Sequence, residues 1–147
     1  MLDVGLRRIM SLYMSFPEKS ISQIDEDTLN KYREVAGIIV LALPHEVQCN
    51  QVVLYGSRAS GFADANSDVD ILVLLDGVPD SHANIPFDQD EFRAITDKLE
   101  QAGVPLGKRR GKYDVIFKGL QYLDSLDSVY LEHLKTCGVR LWPLKIH

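Results

Sequence analysis

The chain is short of cysteine, with only Cys49 and Cys137 among 147 residues. They show neither metal-ligand spacing nor the density of a disulfide framework, which excludes a disulfide-stapled extracellular fold and fits a reducing compartment. Basic residues are in deficit as well. Lys and Arg number 16 against 21 Asp and Glu, and the net charge of −5 is the wrong sign for a general nucleic-acid binder. Long apolar runs are missing too. In the opening "MLDVGLRRIMSLYMSF", Asp3 and two arginines interrupt the apolar pattern, so neither a signal peptide nor a membrane span is expected there. There is no internal repeat, low-complexity tract or linker-like shift in composition. These absences lead us to expect one domain over residues 1–147, cytoplasmic, with no membrane partner and no direct nucleic-acid binding.

Apolar residues make up 46% of the chain and charged residues 25%, the balance of a globular protein with one real core. Val4 to Met14 fits a short amphipathic helix in an N-terminal extension covering residues 1–25. "IDEDTLNKYREVAGIIVLALP" reads as a long helix, capped by Asp25 or Asp27 and stopped by Pro44. Its buried stripe is Leu29, Tyr32, Val35, Ala36, Ile39, Val40 and Leu43. "QVVLY" from Gln51 and "DVDILVLL" from Asp68 read as strands. Residues 78–87, with Pro79 and Pro86, form a loop that is either a functional flap or a variable insertion. "DQDEFRAITDKLEQAG" is a helix closed by Gly103, "KYDVIFKG" a third strand, "SLDSVYLEHLKTCG" a helix with Ser125 as its cap, and "VRLW" a last strand. Helices between strands predict an α/β (α+β) domain with a small mixed sheet flanked by helices.

The stretch "VVLYGSRASGFADANSDVDILVLL" carries the chemistry. Side chains alternate along a strand, so Asp68 and Asp70 share a face about 7 Å apart. Leu72 and Leu74 continue that face, while Val69, Ile71 and Val73 take the other. Two carboxylates at the rim of a core repel one another and are poorly solvated. A divalent cation removes both problems, and Mg²⁺ favours a few carboxylates together with substrate phosphates. Upstream, Gly56 permits close backbone approach to a ligand. The turn at Gly56–Ser57 presents N–H groups suited to a phosphate, Ser57 adds a hydroxyl and Arg58 a positive charge. A third carboxylate is then wanted on a neighbouring strand. Asp114 fits, because Tyr113, Val115 and Phe117 fill one face of "KYDVIF" and leave Asp114 on the other with Ile116.

Gly56-Ser57, ten residues, then Asp68-Val69-Asp70 resembles the G-S-x10-D-x-D signature of the DNA polymerase β-like nucleotidyltransferases. Asp114 is similar to that superfamily's third catalytic aspartate. "YGSRASGFADANSDVDILV" most resembles the minimal nucleotidyltransferase branch, and the closing "GVRLW" is like the ending common there. The resemblance implies a nucleotidyltransferase fold and transfer of AMP from ATP. Asp68, Asp70 and Asp114 would be catalytic and hold two Mg²⁺ ions, which can sit about 3.5–4 Å apart. Gly56, Ser57 and Arg58 would bind the nucleotide. Many relatives in that branch are antitoxins that AMPylate a tyrosine of a HEPN-domain RNase toxin, which makes such a toxin the expected partner. Two alternatives stand beside this reading. One is a catalytically silent, nucleotide-binding antitoxin acting by contact. The other is a small-molecule, antibiotic-type nucleotidyltransferase, disfavoured because nothing here matches the helical acceptor domain of such enzymes. The acceptor and the oligomeric state are left open.

"GKRRGKY" concentrates Lys108, Arg109, Arg110 and Lys112 just before Asp114. It is either a solvated turn guarding a sheet edge or a contact for phosphates or an acidic partner. It lacks P-loop spacing. His45, His82 and His133 are isolated, and Arg140 with His147 only nominally echoes the Arg…His pair of HEPN nucleases.

Overall fold

The computed structural model describes residues 16–18, 24–64 and 66–144. The expected helix at Val4–Met14 lies outside them. In chain order the elements are α1 (Glu26–Ala42), β1 (Gln48–Tyr55), α2 (Gly56–Ser60), β2 (Val69–Asp76), α3 (Gln89–Gln101), β3 (Tyr113–Gly119), α4 (Ser128–Cys137) and β4 (Val139–Trp142). Short 3-10 segments occupy Asp80–His82 and Leu120–Ser125. The strands form one mixed sheet in the order β3-β2-β1-β4. β1 runs antiparallel to β2 and β4, and β2 runs parallel to β3. Helices flank this sheet, so the fold is α+β, as expected of a nucleotidyltransferase.

Strand alternation divides the interior in two. On one face Val69, Ile71, Val73 and Leu75 of β2 join Val52 and Leu54 of β1 and Tyr113 and Phe117 of β3. Leu29, Tyr32, Val35, Ala36 and Ile39 of α1 cover them together with Ile95 and Leu99 of α3. The opposite face is more lightly covered: Val53, Leu72 and Leu74 meet Leu120, Leu123, Leu134 and Phe16. Burying a Leu or Val side chain stabilises by about 1.5–3 kcal/mol, so the first face supplies most of the cohesion and leaves one end of the second free for a site.

Local chemistry explains the boundaries. Asp25 caps α1, accepting from the Asp27 and Thr28 N–H groups. Asp88 and Glu91 form a reciprocal capping box on α3, and Gly103 follows that helix at φ +89. Three expectations need correction. The last helix is capped by Asp127, which accepts from the Tyr130 N–H at 2.8 Å, whereas Ser125 belongs to the preceding 3-10 turn and donates to the Tyr122 carbonyl at 2.6 Å. β1 starts at Gln48, because its first residues pair with the far end of β2 (Gln48 with Asp76) through an irregularity between Cys49 and Gln51. β2 starts at Val69, with Asp68 just ahead of it.

The 78–87 segment is anchored rather than loose. The Gly119 N–H donates to the Ala83 carbonyl at 2.7 Å, and the Phe87 ring packs edge-on against Phe117 with centroids 5.6 Å apart. Arg140, buried in β4, donates to the Phe16 carbonyl at 2.8 Å and pairs with Glu18 at 2.7 Å. The Phe16 N–H in turn donates to Gln51 Oε1, so residues 16–18 are strapped to the sheet. No helix among the described residues is long and apolar enough to cross a membrane.

Candidate active site

The site forms where β1 ends and where β2 and β3 begin. Across the strands, Asp70 stands opposite Tyr55 on one side and Asp114 on the other. This row lies on the more lightly covered face of the sheet, beyond Leu72 and Leu74. Asp68, one residue ahead of β2, completes the group: one carboxylate oxygen from each of Asp68, Asp70 and Asp114 lies within 4.8 Å of the others, and all three residues are half-buried. The parity that placed Asp114 on the same face is thus present in the structure.

Crowding like charges in a partly desolvated place raises a carboxyl's pKa. Asp70 is pushed up to about 6, by burial first and then by Asp68 and Asp114, while Lys108 pulls it back down. The Tyr55 hydroxyl is raised well above its ordinary value by burial and by Asp70 and Asp114. Tyr130 is raised by burial, then Tyr122, then Asp70. Uncompensated negative charge is the dominant electrostatic fact here. Three hard oxygen donors this close suit a hard divalent cation such as Mg²⁺.

Gly56 turns the chain out of β1 at φ +71. A Cβ at this position would collide with Asp70 Oδ2, so the glycine serves both the backbone conformation and the close approach. Ser57 follows at the start of α2, and its carbonyl accepts from the Gly61 and Phe62 N–H groups at 3.1 Å. Arg58 is next in the same short helix. Its Nη2 donates to the Ser67 carbonyl at 2.8 Å, and its charge lowers the pKa of Tyr32 against the larger effect of burial. The guanidinium therefore holds the loop that delivers Asp68. Beside Asp114, a cavity of about 420 Å³ opens along β3 between Ile85, Phe87, Phe92 and Lys118.

The sequence pattern of the nucleotidyltransferase domain family matches residues 38–123, a span that includes Gly56, Ser57 and all three aspartates. The chain belongs to the nucleotidyltransferase domain family. With that membership it joins the DNA polymerase β-like superfamily. It is 26% identical over 93 residues, 63% of this chain and 78% of the relative, to a Methanocaldococcus jannaschii protein named "putative protein adenylyltransferase". A crystal structure of a "putative nucleotidyltransferase" from Sulfolobus solfataricus superposes with a TM-score of 0.48 at 18% identity, covering 92% of this chain and 86% of that one.

This nucleotidyltransferase also has site neighbours that sequence reasoning passed over. Tyr55 and Tyr130 feel the charge of Asp70, and Tyr122 neighbours both tyrosines. Tyr55 was within reach of the sequence, since it lies two residues beyond Val53 on the same strand face. Tyr122 and Tyr130 arrive from separate elements: the 3-10 turn of Tyr122 packs on β2 and β3, and the helix of Tyr130, α4, packs on α2.

Proposed function

We propose that this nucleotidyltransferase transfers AMP from ATP to a hydroxyl of a protein acceptor. The observation that carries the proposal is the convergence of Asp68, Asp70 and Asp114 within 4.8 Å, directly beside the Gly56–Ser57 turn. Mg²⁺ held by these three carboxylates supplies charge neutralisation at the phosphates. Gly56 and Ser57 receive the triphosphate. Arg58 contributes by fixing the loop ahead of Asp68 through the Ser67 carbonyl.

In the reaction the acceptor oxygen bonds to the α-phosphorus, the bond from that phosphorus to the bridging oxygen of the β-phosphate breaks, and pyrophosphate leaves. The acceptor proton goes to a carboxylate. Asp114 is assigned this task because it sits on the sheet's edge strand and lines the 420 Å³ cavity from which an acceptor approaches.

A protein acceptor is supported by the name of the M. jannaschii relative and by the resemblance to the minimal nucleotidyltransferase branch. That resemblance nominates a HEPN-domain toxin as the acceptor, with this chain as its antitoxin. The test incubates the protein with Mg²⁺, α-labelled ATP and a HEPN-domain protein encoded beside it. Label should appear on a partner tyrosine and vanish with Asp68→Asn/Asp70→Asn. Full neutralisation of the partner without label would replace this reading with neutralisation by contact.

A further inference from the structure

The basic turn between α3 and β3 is not absorbed by the reading above. Residues 107–112 are pinched at their base: Leu106 bridges Tyr113, the Gly107 N–H donates to the Tyr113 carbonyl at 3.0 Å, and the Lys112 N–H donates to the Arg109 carbonyl at 2.9 Å. The turn is also tied to the strand of the carboxylates, because the Val69 N–H donates to the Lys112 carbonyl at 3.0 Å. Its tip therefore stands at the end of β2 and β3 where Asp68, Asp70 and Asp114 emerge. The Lys112 stem lies across Gly107, with Cγ 3.6 Å from where a Cβ would be.

Among the described residues, Lys108, Arg109, Arg110 and Lys112 form none of the ion pairs found. Four cations in five positions, on a chain of net charge −5, repel one another unless an anion joins them. An edge guard would put its charges anywhere along β3. These are gathered at the carboxylate end, where the Lys112 carbonyl meets the Val69 N–H. The carboxylates do not satisfy the turn, since none of the ion pairs found joins it to Asp68, Asp70 or Asp114. A nucleoside triphosphate brings more negative charge than one divalent ion neutralises, and its terminal phosphates extend away from that ion.

We propose that the 107–112 turn completes the triphosphate site begun at Gly56–Ser57 by binding the terminal phosphates of the nucleoside triphosphate, with Lys108 as the contacting residue. An ammonium on a flexible stem suits a phosphate as a point charge without fixed geometry. The inference rests on the nucleotidyl-transfer reading and adds a phosphate-end selectivity to it. The turn distinguishes triphosphate from monophosphate and holds the pyrophosphate as it leaves.

The test is calorimetric titration of the full chain in Mg²⁺ with α,β-methylene-ATP, α,β-methylene-ADP and AMP, comparing the parent with Lys108→Met and Lys108→Arg. Lys108 is exposed, so both variants should unfold at the parent's temperature. Lys108→Met should weaken the triphosphate analogue about tenfold or more, weaken the diphosphate less and leave AMP unchanged, and Lys108→Arg should restore most of the loss. Parent affinity for all three ligands in Lys108→Met overturns the proposal, as does an equal loss for all three. If Lys108→Met instead raises only the KM for a protein acceptor, the turn serves that acceptor and the proposal again falls. A parent that binds no triphosphate overturns the nucleotidyl-transfer reading together with this one, which separates the two failures.

Discussion

Gly56 and Asp70 touch across the end of the β1–β2 pair so closely that no side chain fits between them. The strand that carries the carboxylates and the turn proposed to receive the phosphates are thereby held at a fixed spacing.

Gly56→Ala should consequently damage the site more than the fold. Alanine must adopt φ +71, at a strain cost of about 1–3 kcal/mol, and its methyl must displace the Asp70 carboxylate. Thermal unfolding with and without Mg²⁺ checks this. The variant should unfold several degrees lower and should lose most of the stabilisation that Mg²⁺ gives the parent.

The metal-free protein should become less stable as pH rises from about 4 to about 6. Asp70 titrates near 6 when folded, against 3.8 ordinarily, so between those values the folded state binds the extra proton. Stability falls with rising pH wherever the native state is the more protonated one. Urea unfolding across this window should show the slope, and Asp70→Asn should abolish it. In Mg²⁺ the trend should reverse, because binding requires the ionised carboxylate.

Asp68→Asn/Asp70→Asn should end nucleotidyl transfer while raising the unfolding temperature of the metal-free protein. The substitution relieves the repulsion within 4.8 Å at nearly constant volume. An unfolding temperature below the parent's would show that the carboxylates contribute structure beyond holding a cation.

Arg140→Met should cost about 2–4 kcal/mol of stability, because it strands the Phe16 carbonyl and frees Glu18. Arg140 sits on β4, opposite Val53 and separated from the carboxylate strands by β1, so triphosphate binding at saturating Mg²⁺ should stay at the parent value. Denaturant midpoints paired with nucleotide titration separate the two effects.

The carboxylate site was legible in the sequence because strand parity is strict. Two aspartates spaced by one residue, and a third whose neighbours Tyr113 and Val115 are apolar, could meet only on one face. What escaped depends on longer distances. Gln48 joins β1 through pairing with Asp76, which local β-propensity does not encode. Asp127 and Ser125 are both good caps, and the choice fell to Asp127 once Leu120–Ser125 tightened into a 3-10 turn. The aim of Arg58 was set by the Ser67 carbonyl, on a loop without regular structure to read. Tyr122 reaches the site through packing of its turn on β2 and β3, and Tyr130 through packing of α4 on α2.

The parallel pairing of β2 with β3 has no hairpin to index it. The connecting chain crosses the larger apolar face through α3, and the register is pinned near its ends, by Leu106 against Tyr113, by the Val69 N–H on the Lys112 carbonyl and by Gly119 against Ala83. A slip of one residue would turn Tyr113 or Val115 toward Asp70 and send Asp114 into the hydrocarbon beneath α3. Such a chain would retain its strands and helices and bind no ion. Divalent-ion affinity is therefore a readout of assembly fidelity, sensitive to a misalignment that secondary-structure spectroscopy would pass.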